Sequence, residues 1–148
     1  MNQKYILVIM ASEKYKDEIQ IIKKIYKQTI SIGFIQAPDH LSVTRQAHIG
    51  VTTYDHSSLN AVFCAPNKIY EYGMFNVPIL ANDIPGLKYT VHHERAGVCT
   101  DMTNIDKIVE AINEIEINLE LYKEGTKKLI QSSSYEDVLM EILNKLNL

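Results

Sequence analysis

The sequence predicts an α/β domain in which helices cover both faces of a mainly parallel sheet. Short apolar runs alternate along the chain with longer segments whose apolar residues recur at helical spacing. The first run, Tyr5 to Met10, is apolar without interruption, as expected of a strand buried on both faces. The chain has 148 residues, the size of one ordinary domain. We therefore expect a single three-layer α/β/α domain over residues 1–148.

The first half of the chain contains three predicted strands and one clear helix. Ile19, Ile22, Ile25 and Tyr26 share one helical face, and lysines occupy the other face. The elements predicted next are a strand over 30–35, a short helix over 39–46, a third strand over 48–54 and a loop over 54–65. The loop is polar and long for a compact domain, which indicates a functional role.

The second half continues the alternation and ends in three helices. Pro66 fits the first turn of a helix over 66–75, and Asn76 can end that helix in the left-handed conformation. We expect Thr103 to cap a later helix and Gly125 to weaken another by about 1 kcal/mol. The remaining predicted elements are strands over 77–81 and 97–100, a short helix over 85–93, and helices over 103–115, 118–130 and from 134. The predicted core face of helix 103–115 consists of Ile105, Ile108, Val109, Ile112 and Ile115.

Composition and charge exclude several classes of function. The net charge of −3 and the pI near 5.9 provide no basic field that would hold nucleic acid. No apolar run approaches the roughly 20 residues of a membrane span. The first ten residues fit a strand better than a signal peptide, because their apolar part is short and charged residues follow. The two cysteines, Cys64 and Cys99, form no CxxC pair and indicate a reducing, cytoplasmic compartment.

The motifs of several common enzyme classes do not occur in the sequence. It contains no GxGxxG and no GxxxxGK[ST], the glycine-rich patterns that cradle dinucleotides and nucleoside triphosphates. It also contains no GxSxG, HExxH, CxxC or Asp-x-Asp. The five histidines lack metal-ligand spacing, so we interpret each as a surface or loop residue. We expect neither a bound metal nor a resident cofactor.

The helix predicted over 66–75 carries the best candidate site. Its first turn would contain Asn67 and Lys68, where backbone N–H groups lack internal partners and the helix dipole attracts anions. Glu71 follows one turn later on the same face. A nucleoside diphosphate suits this arrangement, with its phosphates at the helix start and its ribose diol on the carboxylate. Spacing alone favours the simpler alternative, a solvated Lys68–Glu71 pair worth about 0.2–0.5 kcal/mol.

The run over residues 66–86, PNKIYEYGMFNVPILANDIPG, resembles the donor-site segment of family 4 glycosyltransferases. Those enzymes have the GT-B fold, in which two Rossmann-like halves face a cleft. Residues 94–98 also resemble the family's next strand, and the similarity extends over about residues 33–115. The resemblance implies a Rossmann-like α/β domain that forms the C-terminal, donor-binding half of a GT-B enzyme. It reverses the preference stated above and favours a binding role for Lys68 and Glu71.

The resemblance also assigns roles to individual residues. Family members carry two glutamates separated by seven residues, and Glu71 matches the second, which binds the ribose hydroxyls. The first falls at Phe63, which cannot hydrogen-bond a sugar, so Asn60 or Tyr54 is expected to replace it. The family clamps the diphosphate with an Arg and a Lys. Lys68 matches the Lys, and Lys14 is a weak candidate to replace the Arg. Gln36 follows the strand where relatives contact the base.

The resemblance implies retaining transfer of a sugar from a nucleotide-diphosphate sugar to an acceptor hydroxyl, in polysaccharide or lipopolysaccharide synthesis. Lys68 and Glu71 would be the catalytic pair. We expect the N-terminal acceptor domain to be absent from these residues, so the chain would be inactive alone and would need a partner half. Any peripheral membrane contact would come through that half. The alternatives are a non-catalytic module that binds a nucleotide or a protein partner and, less favoured, a sugar epimerase of the same fold.

Overall fold

The computed structural model describes residues 4–54, 57–132 and 135–146. Helices alternate with parallel strands throughout, which confirms the predicted α/β class. The chain divides into two compact units, residues 1–43 and residues 44–148. Within the described ranges, no helix is both long and apolar enough to cross a bilayer.

The first unit contains two parallel strands and one helix. Strand β1 (Leu7–Ile9) leads through a 3-10 turn (Glu13–Tyr15) into helix α1 (Lys16–Ile25), and strand β2 (Thr29–Ser31) follows. The two strands pair in parallel, with Leu7 opposite Thr29. Strand β2 is shorter than predicted and ends before Gly33, whose φ of 74° is incompatible with an extended strand. The short helix α2 (Leu41–Thr44) then replaces the longer helix predicted over 39–46.

The second unit is built on a three-stranded parallel sheet. Its strands β3 (Gly50–Thr52), β4 (Ile79–Asn82) and β5 (Gly97–Thr100) lie in the order β3-β4-β5. All four residues of the central strand are buried. Strand β5 has the predicted bounds, whereas β4 begins two residues later than predicted. The adjacent Pro78 has no N–H to donate, although its carbonyl accepts from the Gly50 N–H at 2.9 Å.

Six helices of the second unit lie on the described chain. They are α3 (Leu59–Phe63), α4 (Asn67–Met74), α5 (Pro85–Leu87, continued by a π-helix over Lys88–His92), α6 (Ile105–Ile117), α7 (Leu119–Gln131) and α8 (Tyr135–Lys145). Alternate residues of β4 face two different cores. Ile79 and Ala81 pack with α4 and the end of α7, and Leu80 packs with α6 and the start of α7. Burial on both faces of the sheet is what the uninterrupted apolar sequence of β4 predicts.

Helix α3 corrects the prediction of a structureless loop over 54–65. Ser58 begins the helix, because its side-chain oxygen accepts a hydrogen bond from the Ala61 N–H at 3.1 Å. The helix has only five residues, too few for a periodic apolar pattern. Pro66 is likewise not in the first turn of α4, since its ψ of 146° makes it the residue before the helix. The left-handed conformation predicted for Asn76 is confirmed by its φ of 54°.

Helix α6 begins one residue later than predicted and turns a different face to the core. Asn104 caps it by accepting from the Lys107 N–H at 3.2 Å, while Thr103 instead bonds Asp101. Ile105 is 77% exposed and Val109 is 50% exposed, so neither belongs to the core. The buried residues of α6 are Ala111 and Ile115, and Ile108 and Ile112 are partly buried beside them. The predicted core face therefore had the correct helical spacing, but it included residues on the side of the helix that faces solvent.

Gly125 allows helix α7 to touch the backbone before β5. A Cβ atom at Gly125 would lie 1.8 Å from the carbonyl oxygen of Arg95 and 2.6 Å from that of Glu94. Such separations are far inside van der Waals contact, and main-chain atoms cannot rotate away as a side chain can. The helix therefore tolerates a poor helix former because only glycine fits this crossing.

We predict that Gly125→Ala destabilises the protein by about 1–3 kcal/mol, because the added methyl group overpacks a backbone contact. In a helix without this contact the same change would stabilise by about 1 kcal/mol. Urea denaturation followed by circular dichroism measures the difference.

Lys128→Ala on the same helix is the control, because Lys128 is exposed and should change stability by less than about 0.5 kcal/mol. A Gly125→Ala protein as stable as the parent would show that α7 can move away from Arg95.

Candidate functional site

The carboxyl ends of β3, β4 and β5 form one edge of the parallel sheet. Ligands of open parallel sheets bind at this edge, where the loops after the strands converge. Helix α4 belongs to the crossover that leads from β3 to β4, so it runs antiparallel to both strands and begins at this edge. The topology therefore places the first turn of α4 beside the loops that follow the strands.

The first turn of α4 has no side-chain cap. Pro66 precedes the helix and has no oxygen in its side chain that could accept the first N–H groups. Asn67 is exposed there, and Lys68 is partly buried. An uncapped helix start with an adjacent ammonium group is an arrangement that attracts phosphate.

Glu71 follows on the next turn and is partly buried, with its Oε2 oxygen shielded from solvent. The opposite side of the helix is fixed in the core by Ile69, which has no exposed surface. Because the apolar side is anchored, Lys68 and Glu71 lie on a helix whose rotation is defined. The spacing of three residues between them keeps the ammonium and the carboxylate on one side of it.

Tyr72 anchors α4 directly to the sheet. Its hydroxyl donates to the Val51 carbonyl oxygen at 3.2 Å, and its ring covers Gly50 so closely that a Cβ there would lie 2.5 Å from the ring. Burial, assisted by the neighbouring charge of Glu71, raises the pKa of Tyr72 to about 12. Tyr72 is therefore a neutral donor at physiological pH and holds the helix that carries Glu71 against β3.

A cavity of about 580 Å³ opens at the carboxyl edge, and we call it the edge cavity. Its volume lies within the range of small-molecule sites. The residues that line it come from the carboxyl ends of β4 and β5, from the loops that follow the three strands, and from the first turn of α6: Thr53, Tyr54, Asn82, Asp83, Thr100, Asp101, Met102, Thr103 and Lys107.

Asn82 holds the loop after β3 in place at the edge cavity. Its Oδ1 accepts from the Tyr54 N–H at 2.9 Å, and its Nδ2 donates to the Tyr54 carbonyl oxygen at 2.7 Å. Only 7% of Asn82 is exposed, so these two bonds satisfy an otherwise costly buried amide. The pair aligns the backbone of Tyr54 with the end of β4.

Two carboxylates give the edge cavity its charge. Asp101 accepts from the Thr103 N–H at 3.0 Å and the Thr103 hydroxyl at 2.6 Å, and these bonds hold the pKa of Asp101 below its ordinary value. Asp83 forms an ion pair of 2.6 Å with Lys88, which raises the pKa of that lysine. With Lys107 as the opposing charge, the cavity can accept hydrogen bonds from hydroxyl groups but offers little to a free phosphate.

The structure places the predicted site residues in four locations. Tyr54 lines the edge cavity, and Lys68, Glu71 and Asn67 lie together at the start of α4. Asn60 is exposed on α3, three residues before Phe63, which is itself 63% exposed. The other two candidates lie in the first unit, where Gln36 is exposed and the Lys14 Nζ lies 4.6 Å from the centre of the Tyr15 ring.

The edge cavity does not include Lys68 or Glu71, and no residue of helix α4 lines it. Sequence analysis missed several of its residues, above all Asn82, Asp83 and Asp101. Asn82 is the last residue of β4, and Asp83 and Asp101 directly follow β4 and β5; polar residues at the carboxyl ends of strands were the available signal. Within the part of the chain that the structure describes, no three His, Cys, Asp or Glu side chains are grouped to hold a metal.

Two solved structures share the fold of the chain. One is a sucrose-phosphate synthase from Thermosynechococcus elongatus, with a TM-score of 0.64 and 16% identity over 95% of this chain. The other is AviGT4, a glycosyltransferase involved in avilamycin A biosynthesis, with a TM-score of 0.52 and 15% identity over 86% of this chain. The chain spans 37% and 44% of their lengths, respectively. At these identities the likeness concerns the fold alone.

No curated protein matches the sequence significantly. A family description does match it: the sequence pattern of the group 1 glycosyl transferases extends over residues 1–131. This range contains β1 to β5, helix α4 with Lys68 and Glu71, and the whole of the edge cavity. The match confirms the resemblance seen in residues 66–86, and the chain belongs to the group 1 glycosyl transferases.

Proposed function

We propose that the chain is the nucleotide-sugar donor-binding domain of a retaining glycosyltransferase. The observation that carries the proposal is the start of α4, where an uncapped helix end, Lys68 and the partly buried Glu71 lie on consecutive turns. This helix begins at the carboxyl edge of a parallel sheet, the usual position of a ligand in such folds. Family membership supports the assignment.

In this proposal the start of α4 stabilises the leaving group. The uncapped N–H groups and Lys68 neutralise the charge that develops on the diphosphate as the bond to the sugar breaks. Glu71 accepts hydrogen bonds from the ribose diol and so positions the nucleotide. Because the helix is anchored through Ile69 and Tyr72, these groups need little rearrangement when the substrate binds.

The sugar requires other partners, because Phe63 occupies the position of the family's first glutamate. Tyr54 is the better supported replacement, since Asn82 fixes its backbone at the edge cavity, whereas Asn60 stands exposed on a short helix. The hydroxyl and carboxylate groups of the edge cavity suit a hydroxyl-rich ligand. Gln36 is retained as the candidate for contact with the base.

The rest of the reaction is proposed to depend on residues outside this chain. Transfer to an acceptor hydroxyl, as in polysaccharide or lipopolysaccharide synthesis, requires an acceptor-binding half, and the two similar structures are more than twice as long as the part matched here. Contact with a membrane would come through that half. The free thiols of Cys64 and Cys99 support a cytoplasmic location.

The second candidate function is a non-catalytic module that binds a nucleotide or a protein partner. The exposed Phe63 favours it, because an apolar side chain at the surface cannot steady a sugar but can contact another protein. Absence of nucleotide binding would favour a module that binds a protein partner over the donor domain.

We predict that uridine or guanosine diphosphate binds the chain and that Glu71→Ala and Lys68→Ala each weaken binding by about 10- to 100-fold. The magnitude corresponds to the loss of one charge-assisted hydrogen bond. Isothermal titration calorimetry measures it, with circular dichroism to show that each variant is folded.

Glu110→Ala and Lys128→Ala are matched controls, since they remove exposed charges of the same two signs on other helices. Neither should change the affinity. If no diphosphate binds at millimolar concentration, the donor-site proposal fails and the non-catalytic module is favoured.

We also predict that the isolated chain transfers sugar at a rate at least about 1,000-fold below a typical turnover of 1–1,000 s⁻¹. Release of nucleoside diphosphate from a panel of nucleotide sugars and sugar acceptors measures the rate. Rapid turnover by these residues alone would refute the proposal that a partner half is required.

A further inference from the structure

A second cavity, of about 290 Å³, lies at the opposite end of β5 from the edge cavity. We call it the Arg95 cavity, because His92, Arg95, Gly97, Leu121 and Tyr122 line it. Gly97 is the first residue of β5, whereas Thr100 at the other end of the strand lines the edge cavity. The two cavities are therefore separated by the length of the sheet, and the proposed donor site does not use the Arg95 cavity.

The backbone of Arg95 has an unusual conformation for an arginine. Its φ is 54°, in the left-handed region that a Cβ atom makes unfavourable. Two hydrogen bonds explain the conformation, because the Arg95 N–H bonds the His92 carbonyl at 3.1 Å and the Ala96 N–H bonds the Val91 carbonyl at 2.8 Å. Together they form the Schellman motif that ends a helix, in which this position is usually glycine or asparagine.

Helix α4 ends in the same motif and shows the ordinary choice of residue. There Asn76 has a φ of 54°, its N–H bonds the Gly73 carbonyl at 3.1 Å, and the next N–H bonds the Tyr72 carbonyl at 3.0 Å. Asparagine tolerates this backbone better than arginine does. The fold therefore needs a left-handed residue at position 95, but it does not need an arginine.

Polar contacts within the fold do not explain why this position is an arginine. Among the residues that the structure describes, none forms a hydrogen bond or an ion pair with the Arg95 guanidinium. Arg95 is exposed and is one of only two arginines in a lysine-rich chain. The charge of Arg95 acts on Tyr122, but a side chain that is unfavourable for its backbone and forms no such bond in the described residues indicates a role toward a ligand.

The chemistry of the Arg95 cavity defines that ligand. A guanidinium group presents a planar fork of donors that matches the oxygens of a phosphate, and the adjacent His92 adds a further donor. Leu121 and the ring of Tyr122 form an apolar wall, and Tyr122 is held by the hydrogen bond of its hydroxyl to the Glu114 carboxylate. The volume suits a small molecule rather than a polymer.

We propose that the Arg95 cavity binds a small phosphate monoester, at a site distinct from the nucleotide-sugar donor site. The phosphate lies on the Arg95 guanidinium, and the organic group of the ester lies against Leu121 and Tyr122. This binding does not depend on the proposed donor function and can be tested without it.

The test is a titration of the full chain with phenyl phosphate, followed by ¹⁵N nuclear magnetic resonance. The amide signals of Arg95, Gly97 and Tyr122 should shift and saturate, while those of Lys68 and Glu71 report any separate binding at the start of α4. Arg95→Asn should weaken the saturable shift at least about tenfold, the effect of losing one charged contact. Because asparagine suits the left-handed backbone, the same variant should keep the melting temperature or raise it by about 2 to 4 °C.

Arg45→Asn is the control, since it removes the other, exposed arginine and should leave the titration unchanged. Absence of a saturable shift at residues 95, 97 and 122 up to about 20 mM would overturn the proposal, as would equal affinity of Arg95→Asn. A lower melting temperature of Arg95→Asn would also overturn it, because the side chain would then serve the fold.

Binding only to vesicles of phosphatidic acid, without a shift by phenyl phosphate, would assign the cavity to a lipid headgroup instead. Shifts confined to Lys68 and Glu71 would leave the donor proposal intact and refute this one.

Discussion

The arrangement of the second unit depends on the burial of β4 from both sides. Ile79 and Ala81 fill one core and Leu80 fills the other, so helices must cover each face of the sheet. Ile69 enters the first of these cores and thereby fixes helix α4. The polar residues on that helix owe their position to this apolar contact, and a change in the packing of β4 would move them together.

Burial predicted β4 and β5 well but failed at β1, where Leu7 and Val8 are 38% and 47% exposed although the apolar run predicted a strand buried on both faces. The apolar run of β4 and the bounds of β5 followed from burial, and Asn76 followed from its tolerance of a left-handed backbone. The family resemblance predicted the specific GT-B type of α/β fold, which periodicity alone could not. It rested on residues 66–86, where a helix, its end and a strand occur at fixed spacing.

Other features depended on contacts that spacing does not encode. Five residues are too few to show the period of helix α3, and Asn104 and Thr103 are both chemically able to cap α6. The edge cavity combines residues 53 to 107, and only the folded sheet brings them to one edge. Lys68 and Glu71 could be predicted as a pair from the sequence because they are neighbours on one helix, whereas Asp83 and Asp101 follow different strands.

The paired bonds between Asn82 and Tyr54 affect how this protein can be modified. Surface loops usually accept added residues, because few contacts fix their course. Here the main chain of Tyr54 is tied to a buried amide 28 residues further along the chain. Neither aspartate nor leucine, although similar in shape, could both donate and accept in that place. Loop grafts or peptide insertions for engineering should therefore leave Tyr54 untouched and begin after it.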